Sequence, residues 1–392
     1  MPLQVKQLHP SVLAAARRLH FRQSFIKDYL TCPKMSLYRW ILQLEEEQPF
    51  MAGFFGTAGH AVVYDMHEKK NFAMSQLEIL EIFETTFYEE IDKATHLPSI
   101  APSFGSIQDQ FDEMSAGYVT LIQGYQTKKE NTEFMSTIHE QLFVLEFPVE
   151  ILDEYGNITN ETFMFTGQID QGGYYPDGVF ALRDIKFRQD AFRPSRTEFD
   201  LDIQMTVYSA AMKWGVPSCE ACRPTYDAEG ERVYNGPCEA CEAKIGTPQW
   251  PQKYPEISQL IWMRDYERRT KDRYAKMIKD PLKRKEFSSI TGRKVIREVI
   301  NPKWEDGYKK GDYKGPGLIK TVRSPSAIEI FMADVINICI NIRNGVFYRN
   351  PGEKCNFWCR YREQCVRGVE ADIDELTEEK AMVYGTLDPF DE

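Results

Sequence analysis

The sequence predicts an α/β protein, and three observations carry that prediction. Two β-rich runs, Phe163 to Gly167 and Val179 to Phe187, flank the turn-forming residues Gln171-Gly172-Gly173 and Pro176-Asp177-Gly178, the pattern of a hairpin. Gln141 to Ile151 alternates as a further strand ahead of them. Amphipathic periodicity over Gln76 to Ala94 and Ile107 to Tyr125 supplies a helical layer over the sheet.

The remaining elements follow in order. Ser24 is positioned to cap a short helix, Phe25 to Leu30, which Thr31-Cys32-Pro33 interrupts; Pro33 suits the first turn of a second helix, Lys34 to Leu42. Cys32 then sits near a helix N-terminus, where the dipole favours thiolate over thiol. The small residues Gly56-Thr57-Ala58-Gly59 lead through His60 into a helix containing Ala61, Val62 and Val63. After the hairpin, a polar loop with Pro194 precedes a helix from about Asp200 to Trp214. Its buried stripe is Ile203, Val207, Ala210, Ala211 and Trp214, while Gln204 and Tyr208 lie one turn apart on a neighbouring face.

From Pro217 to Pro248 the composition shifts to Cys, Glu, Gly and Pro, which marks an insertion. A basic tract follows, with Arg268, Arg269, Lys271, Arg273, Lys283, Arg284 and Lys285 and interleaved Tyr266, Tyr274 and Phe287. Such a tract either guides a single nucleic-acid strand by phosphate neutralisation and stacking or forms a solvated face paired with Asp265, Glu267 and Asp272. Ser324-Pro325 opens a helix with Ile328, Phe331, Val335, Ile338 and Ile342 on its core face, stopped by Asn344-Gly345. Beyond Cys365 the tail is acidic.

Composition narrows the class. A chain of 392 residues can bury one large core or two to three smaller ones. No apolar run approaches a membrane span and the N-terminal stretch does not form a signal sequence, so a soluble cytoplasmic protein without a membrane partner is expected. A net charge of -11 argues against indiscriminate nucleic-acid binding, though not against local basic surfaces. There is no Gly-x-x-x-x-Gly-Lys-Ser/Thr loop, hence no ATP motor of that type, and no internal repeat.

The chemistry gathers on the hairpin. Alternation along a strand points Asp184 and Lys186 to one face and Ile185 to the other, with Asp170 on the partner strand. Two carboxylates and an ammonium on one sheet face suit metal-dependent phosphodiester hydrolysis. The acids hold a hard divalent ion, Mg2+ or Mn2+, and the lysine orients or helps deprotonate the attacking water.

The cysteines form two sets. Cys219-x-x-Cys222 and Cys238-x-x-Cys241 have the spacing of a structural zinc ribbon, two knuckles that together close a four-thiolate site. Cys355, Cys359 and Cys365 need a fourth ligand. Cys339 reads as a core thiol, which leaves Cys32. By spacing alone this second set suits an iron–sulfur cluster as well as zinc. In either case it ties the start of the chain to its end, so metal-binding energy there is folding energy.

Taken together, Cys32, His60, Asp170, Asp184-Ile185-Lys186, Gln204-x3-Tyr208 and Cys355, Cys359 and Cys365, in this order, resemble the RecB-type PD-(D/E)xK nucleases. The likeness is to their iron–sulfur branch, which includes CRISPR-associated adaptation exonucleases, the AddB nuclease domain and phage-encoded relatives. It covers roughly Ser24 to Trp214 and Ser324 to Cys365; Cys355-x3-Cys359 is one residue longer than the usual spacing, and the zinc ribbon lies outside the pattern.

The resemblance implies a restriction-endonuclease-like core with a mixed sheet flanked by helices and a [4Fe–4S] cluster on Cys32, Cys355, Cys359 and Cys365. It implies metal ligation by His60, Asp170, Asp184 and the Ile185 carbonyl, catalysis by Lys186, and positioning by Gln204 and Tyr208. On this reading residues 1–23 are an arm, 24–216 and 324–366 the nuclease core, 217–250 the zinc-ribbon insertion, 251–323 a basic DNA-binding insertion and 367–392 an acidic tail. The expected activity is a metal-dependent DNA exonuclease on single strands or duplex ends in replication, recombination or repair, of bacterial, phage or mobile-element origin. The rival expectation is a partner-dependent or non-catalytic DNA-binding subunit of a recombination or CRISPR-adaptation complex, served by a separate helicase, recombinase or integrase.

Overall fold

The computed structural model describes residues 13, 16–17, 20–42, 44, 51–94, 106–152, 157–187, 202–226, 232–263 and 317–352, together with 355, 359, 361–362 and 365. Two long antiparallel strands, β1 (Met135–Leu152) and β2 (Ile158–Tyr174), form its centre, and β3 (Phe180–Phe187) adds antiparallel to β2. The two-residue β4 (Val216–Pro217) pairs with β1. A separate small ribbon is made by β5 (Thr225–Tyr226) and β6 (Arg232–Val233). β7 (Ile257–Met263) joins β3 in parallel and β8 (Gly317–Thr321) lies antiparallel to β7. The result is a six-stranded mixed sheet in the order β4-β1-β2-β3-β7-β8.

Helices cover both faces. On one, α3 (Met51–Glu68), α4 (Gln76–Lys93) and α5 (Ile107–Gln126) enclose Phe55, Phe83, Phe87, Phe111 and Ile122 over Ile185 and Ile261 of the sheet. On the other, α1 (Gln23–Thr31), α2 (Pro33–Ser36), α6 (Ile203–Trp214) and α7 (Pro325–Arg343) pack around Phe143, Phe163, Phe165 and Leu182. Local chemistry fixes several ends. Ser75 and Glu78 form a reciprocal capping box at α4, Ser324 caps α7, and Gly345 takes the positive φ that ends it. Cys339 is fully buried in the core face of α7. By length and composition α7 could cross a membrane, which the sequence reading overlooked; its Ile328, Met332, Val335 and Ile342 are buried in the core instead.

Several boundaries differ from expectation. Gln171-Gly172-Gly173 is not a turn: these residues pair with Arg183, Leu182 and Ala181 inside the ladder, and the reversal lies at Tyr175 to Val179. The glycines are needed there because a Cβ at Gly172 would crowd Ile138 and Leu182, and one at Gly173 would strike the Met135 backbone. Ser24 does not cap α1, which begins at Gln23 after Arg22. Phe21 is fixed in a bridge to Phe165, so the chain enters the helix directly behind it. The second helix is α only over Pro33–Ser36 and continues as a π turn, Leu37–Ile41. Gly56 to Gly59 lie inside α3 rather than before it. β7 and β8 fall within residues 251–323, the stretch expected to be an insertion, yet belong to the central sheet. Arg268, Arg269, Lys271, Arg273, Lys283, Arg284 and Lys285 lie outside the described residues, as does the acidic tail 367–392.

Candidate active site

The ladder between β2 and β3 runs from Tyr174 and Phe180 to Gln171 and Arg183, so the next register position sets Asp170 against Asp184. Backbone pairing gives way there. The Asp170 carboxylate takes the Ile185 amide instead, with N to Oδ2 at 3.1 Å. Further along, Phe21 rather than β3 bridges to β2. The strand end is anchored by Arg183, which is fully buried beside Asp184. It donates to Gln259 Oε1 (2.8 Å) and Tyr175 Oη (2.8 Å) and stacks over Phe134 at 3.6 Å.

Asp184 is nearly buried, and its Oδ1 receives two donors: Lys186 Nζ at 2.8 Å and Gln204 Nε2 at 2.9 Å. Gln204 also donates to Tyr208 Oη at 2.9 Å. Gln204 therefore grips the carboxylate, and Tyr208 holds Gln204. Asp202 caps that helix through Met205 N (3.0 Å), which fixes the turn bearing Gln204. The Ile185 side chain turns away into the opposite helical core.

His60 enters from α3. Gly59 makes this approach possible, since a Cβ there would collide with the Phe187 ring at the end of β3. His60 Nδ1 lies 3.1 Å from Glu140 Oε1 and 3.9 Å from Asp170 Oδ2. Glu140 is the residue that sequence reasoning missed. It sits on β1, held through Oε2 by Gln168 Nε2 at 2.9 Å. The ligand atoms of His60, Glu140 and Asp170 all lie within 4.8 Å of one another.

The electrostatics follow from this crowding. Burial, with Asp170 adding to it, raises Asp184 to about 6 despite the opposing ammonium of Lys186. Burial opposes the charge on Lys186, but Asp184 and Asp170 outweigh it and hold the ammonium above its ordinary range. The same balance applies to His60: burial disfavours the imidazolium, yet Asp170 and Glu140 raise its pKa to about 9. Tyr208 is pushed well up by burial and both aspartates, so it acts as a neutral hydroxyl. The donor set of carboxylates and imidazole fits a divalent cation, whose charge would relieve the repulsion between the acids.

The cysteine sets differ in geometry. Cys219 Sγ lies 3.6 Å from Cys222 Sγ and 3.7 Å from Cys238 Sγ, and Cys222 Sγ lies 3.7 Å from Cys241 Sγ. All four fall within one 4.8 Å group. Cys32, Cys355, Cys359 and Cys365 also converge. Burial raises the Cys359 thiol, and its neighbours Cys355, Cys32 and Cys365 add to that rise. Among the described residues, however, these four do not form such a 4.8 Å group.

A family model of the PD-(D/E)XK nuclease superfamily matches residues 20–366. No curated protein matches the chain.

Proposed function

Because the chain belongs to the PD-(D/E)XK nuclease superfamily, we propose that it is a metal-dependent DNA exonuclease of the RecB type, acting on single strands or duplex ends. The observation that carries this reading is the meeting of Asp170, Asp184, Lys186 and Gln204 at one point where β2 and β3 part. A Mg2+ or Mn2+ ion on Asp170, Asp184, His60 and the Ile185 carbonyl would polarise the scissile phosphate and lower the pKa of an attacking water. Gln204 holds Asp184 in its ligating orientation, with Tyr208 supporting the amide. Lys186, one-third exposed, offers a fixed positive charge to the phosphate oxygens as negative charge builds there.

The cysteines complete the reading. Thiolates bound to one tetrahedral zinc at about 2.3 Å lie about 3.8 Å apart, close to the separations in the Cys219, Cys222, Cys238, Cys241 set. The wider set of Cys32, Cys355, Cys359 and Cys365 suits a [4Fe–4S] cluster better than a single ion. A cytoplasmic setting, bacterial or in a phage-infected host, with strands supplied by a separate helicase, recombinase or integrase, agrees with this equipment.

The test is cleavage of end-labelled linear and circular DNA, single- and double-stranded, by anaerobically purified protein with Mg2+, Mn2+ or EDTA. Degradation of linear substrates only, abolished by EDTA and reduced at least about a hundredfold by Lys186→Ala, is the expected result. Cluster-bearing protein that cuts nothing would instead favour the partner-dependent subunit.

A further inference from the structure

β1 leaves regular strand geometry at two places. Ser136 pairs with Gly173 and Ile138 with Gly172, so Thr137 is an extra residue in the ladder, a bulge. Glu140 takes a φ of +41°, rare for a residue with a side chain, although His139 and Gln141 stay in register with Gln171 and Ile169. Such a conformation persists only where its surroundings enforce it. From β2, Gln168 holds one oxygen of the Glu140 carboxylate, and the other meets His60. The cysteine module supplies the rest of the enforcement, because it grips β1 on both sides of Glu140. Ser218, next to Cys219, donates its N–H to Leu142 O (2.8 Å) and accepts Gln141 Nε2 at its own carbonyl (2.6 Å). Lys244, whose N–H is bonded to Cys241 O (3.1 Å), places Nζ 2.7 Å from Gln141 Oε1. The Gln141 amide is thus held at both ends, one by each knuckle. Beyond Glu140, the bulged Thr137 donates through Oγ1 to Pro248 O at 2.6 Å.

We propose that the cysteine module positions the nuclease site: Lys244, Gln141 and Thr137 hold β1 on the irregular path that aims Glu140 at His60. Bulges beside active sites re-aim side chains, and here the two irregular positions of β1 lie within the span of strand that the module contacts. Gln141 and Lys244 are positioning residues, acting on the site through Glu140 and His60. For its effect on cleavage the proposal rests on the nuclease reading. Freed from the module, β1 would relax toward ordinary strand geometry, and the Glu140 carboxylate would turn from the imidazole.

The test uses the full chain, purified anaerobically so that its metals are retained, with its histidine rings labelled with nitrogen-15. A carboxylate only accepts, so the hydrogen between His60 and Glu140 sits on His60 Nδ1 and should give a protected ring N–H resonance. With six histidines in the chain, that signal is identified by its absence from His60→Asn. Lys244→Met should lose it, whereas Lys244→Arg, which still donates to Gln141 Oε1, should keep it. On linear DNA, Lys244→Met should lower kcat about tenfold with KM unchanged, the loss typical of an outer partner of a metal-site residue, and Lys244→Arg should restore most of it. Wild-type melting and unchanged metal content verify the folding of each variant. Should Lys244→Met fail to fold, Gln141→Leu takes its place with the same expected losses. A resonance that survives Lys244→Met, or is absent from wild type, would overturn the proposal, as would equal losses in Lys244→Met and Lys244→Arg. Wild type that cuts no DNA while its resonance responds to Lys244→Met would sink the nuclease reading and leave the positioning standing. Undiminished cleavage by Lys244→Met would do the reverse.

Discussion

The two cysteine sets hold very different amounts of chain together. Cys219 and Cys238 are only 19 residues apart, and their set closes a small module containing β5, β6 and the short helix Glu239–Glu242. Cys32 and Cys355, Cys359 and Cys365 come from opposite ends of the fold, where Tyr29 Oη donates to Val346 O (2.6 Å), Lys34 N to Tyr348 O (3.1 Å) and Asn350 Nδ2 to Thr31 O (3.1 Å). A local crosslink removes little freedom from the unfolded chain, whereas a distant one closes a loop that includes almost the whole protein. The first set therefore orders an appendage and the second should order the molecule.

The largest effect that follows is for Cys359→Ser. On the proposed assignment Cys359 ligates the cluster, so in this variant iron should fall to background while zinc stays at one per chain. Melting should drop by on the order of 10 °C, as expected when several kcal/mol of metal-linked folding energy is lost. Elemental analysis with thermal circular dichroism checks both. Iron retained at the wild-type level would remove Cys359 from the cluster.

A smaller effect is expected for Cys241→Ser. On the proposed zinc and iron–sulfur assignments, zinc should be lost and iron retained, and the cost should be confined to the module and its attachment to β1. That attachment includes the β4–β1 pairing and the bonds Ser218 N to Leu142 O (2.8 Å), Gln141 Nε2 to Ser218 O (2.6 Å), Lys244 Nζ to Gln141 Oε1 (2.7 Å) and Thr137 Oγ1 to Pro248 O (2.6 Å). Hydrogen exchange should rise across 216–250 and along β1 near Glu140, while α1 and α7 stay protected. Loss of protection in α1 as well would show that the small set orders the molecule too.

The same contrast between near and far decides what could be read from the sequence. Asp184 and Lys186 were legible because a strand's period of two places them together, and the knuckle spacing was legible because it is local. α4 and α5 announced themselves through periodicity, and α7 through periodicity and its Ser324-Pro325 start. Glu140 was not legible: Glu146 and Glu150 stand on the same strand, and only the register against β2 distinguishes one acid from the others. β7 was hidden because a short apolar run beside a long basic tract looks like part of the tract. Gly172 and Gly173 looked like a turn, since a glycine needed for close strand approach and one needed for positive φ are the same letter.

Trp250 offers the finest test of how separate the small module is. It lies in the stretch assigned to the insertion, yet it is fully buried in the core with α6 and α7, its indole N–H donating to Gly215 O at 3.0 Å. It is also tied to the second knuckle, because Ile245 bridges to Trp250 and Gly246 N donates to Trp250 O at 2.8 Å. Trp250→Phe removes the hydrogen bond and leaves a small void, costing about 1–3 kcal/mol. Measured in wild type and again in Cys241→Ser, the cost should differ by more than about 0.5 kcal/mol, the level at which neighbouring sites cease to be additive. A smaller penalty in the zinc-free protein means that the metal holds the indole in place. Equal penalties in both backgrounds mean that Trp250 belongs to the core alone, and that the module hangs from the sheet by its hydrogen bonds to β1.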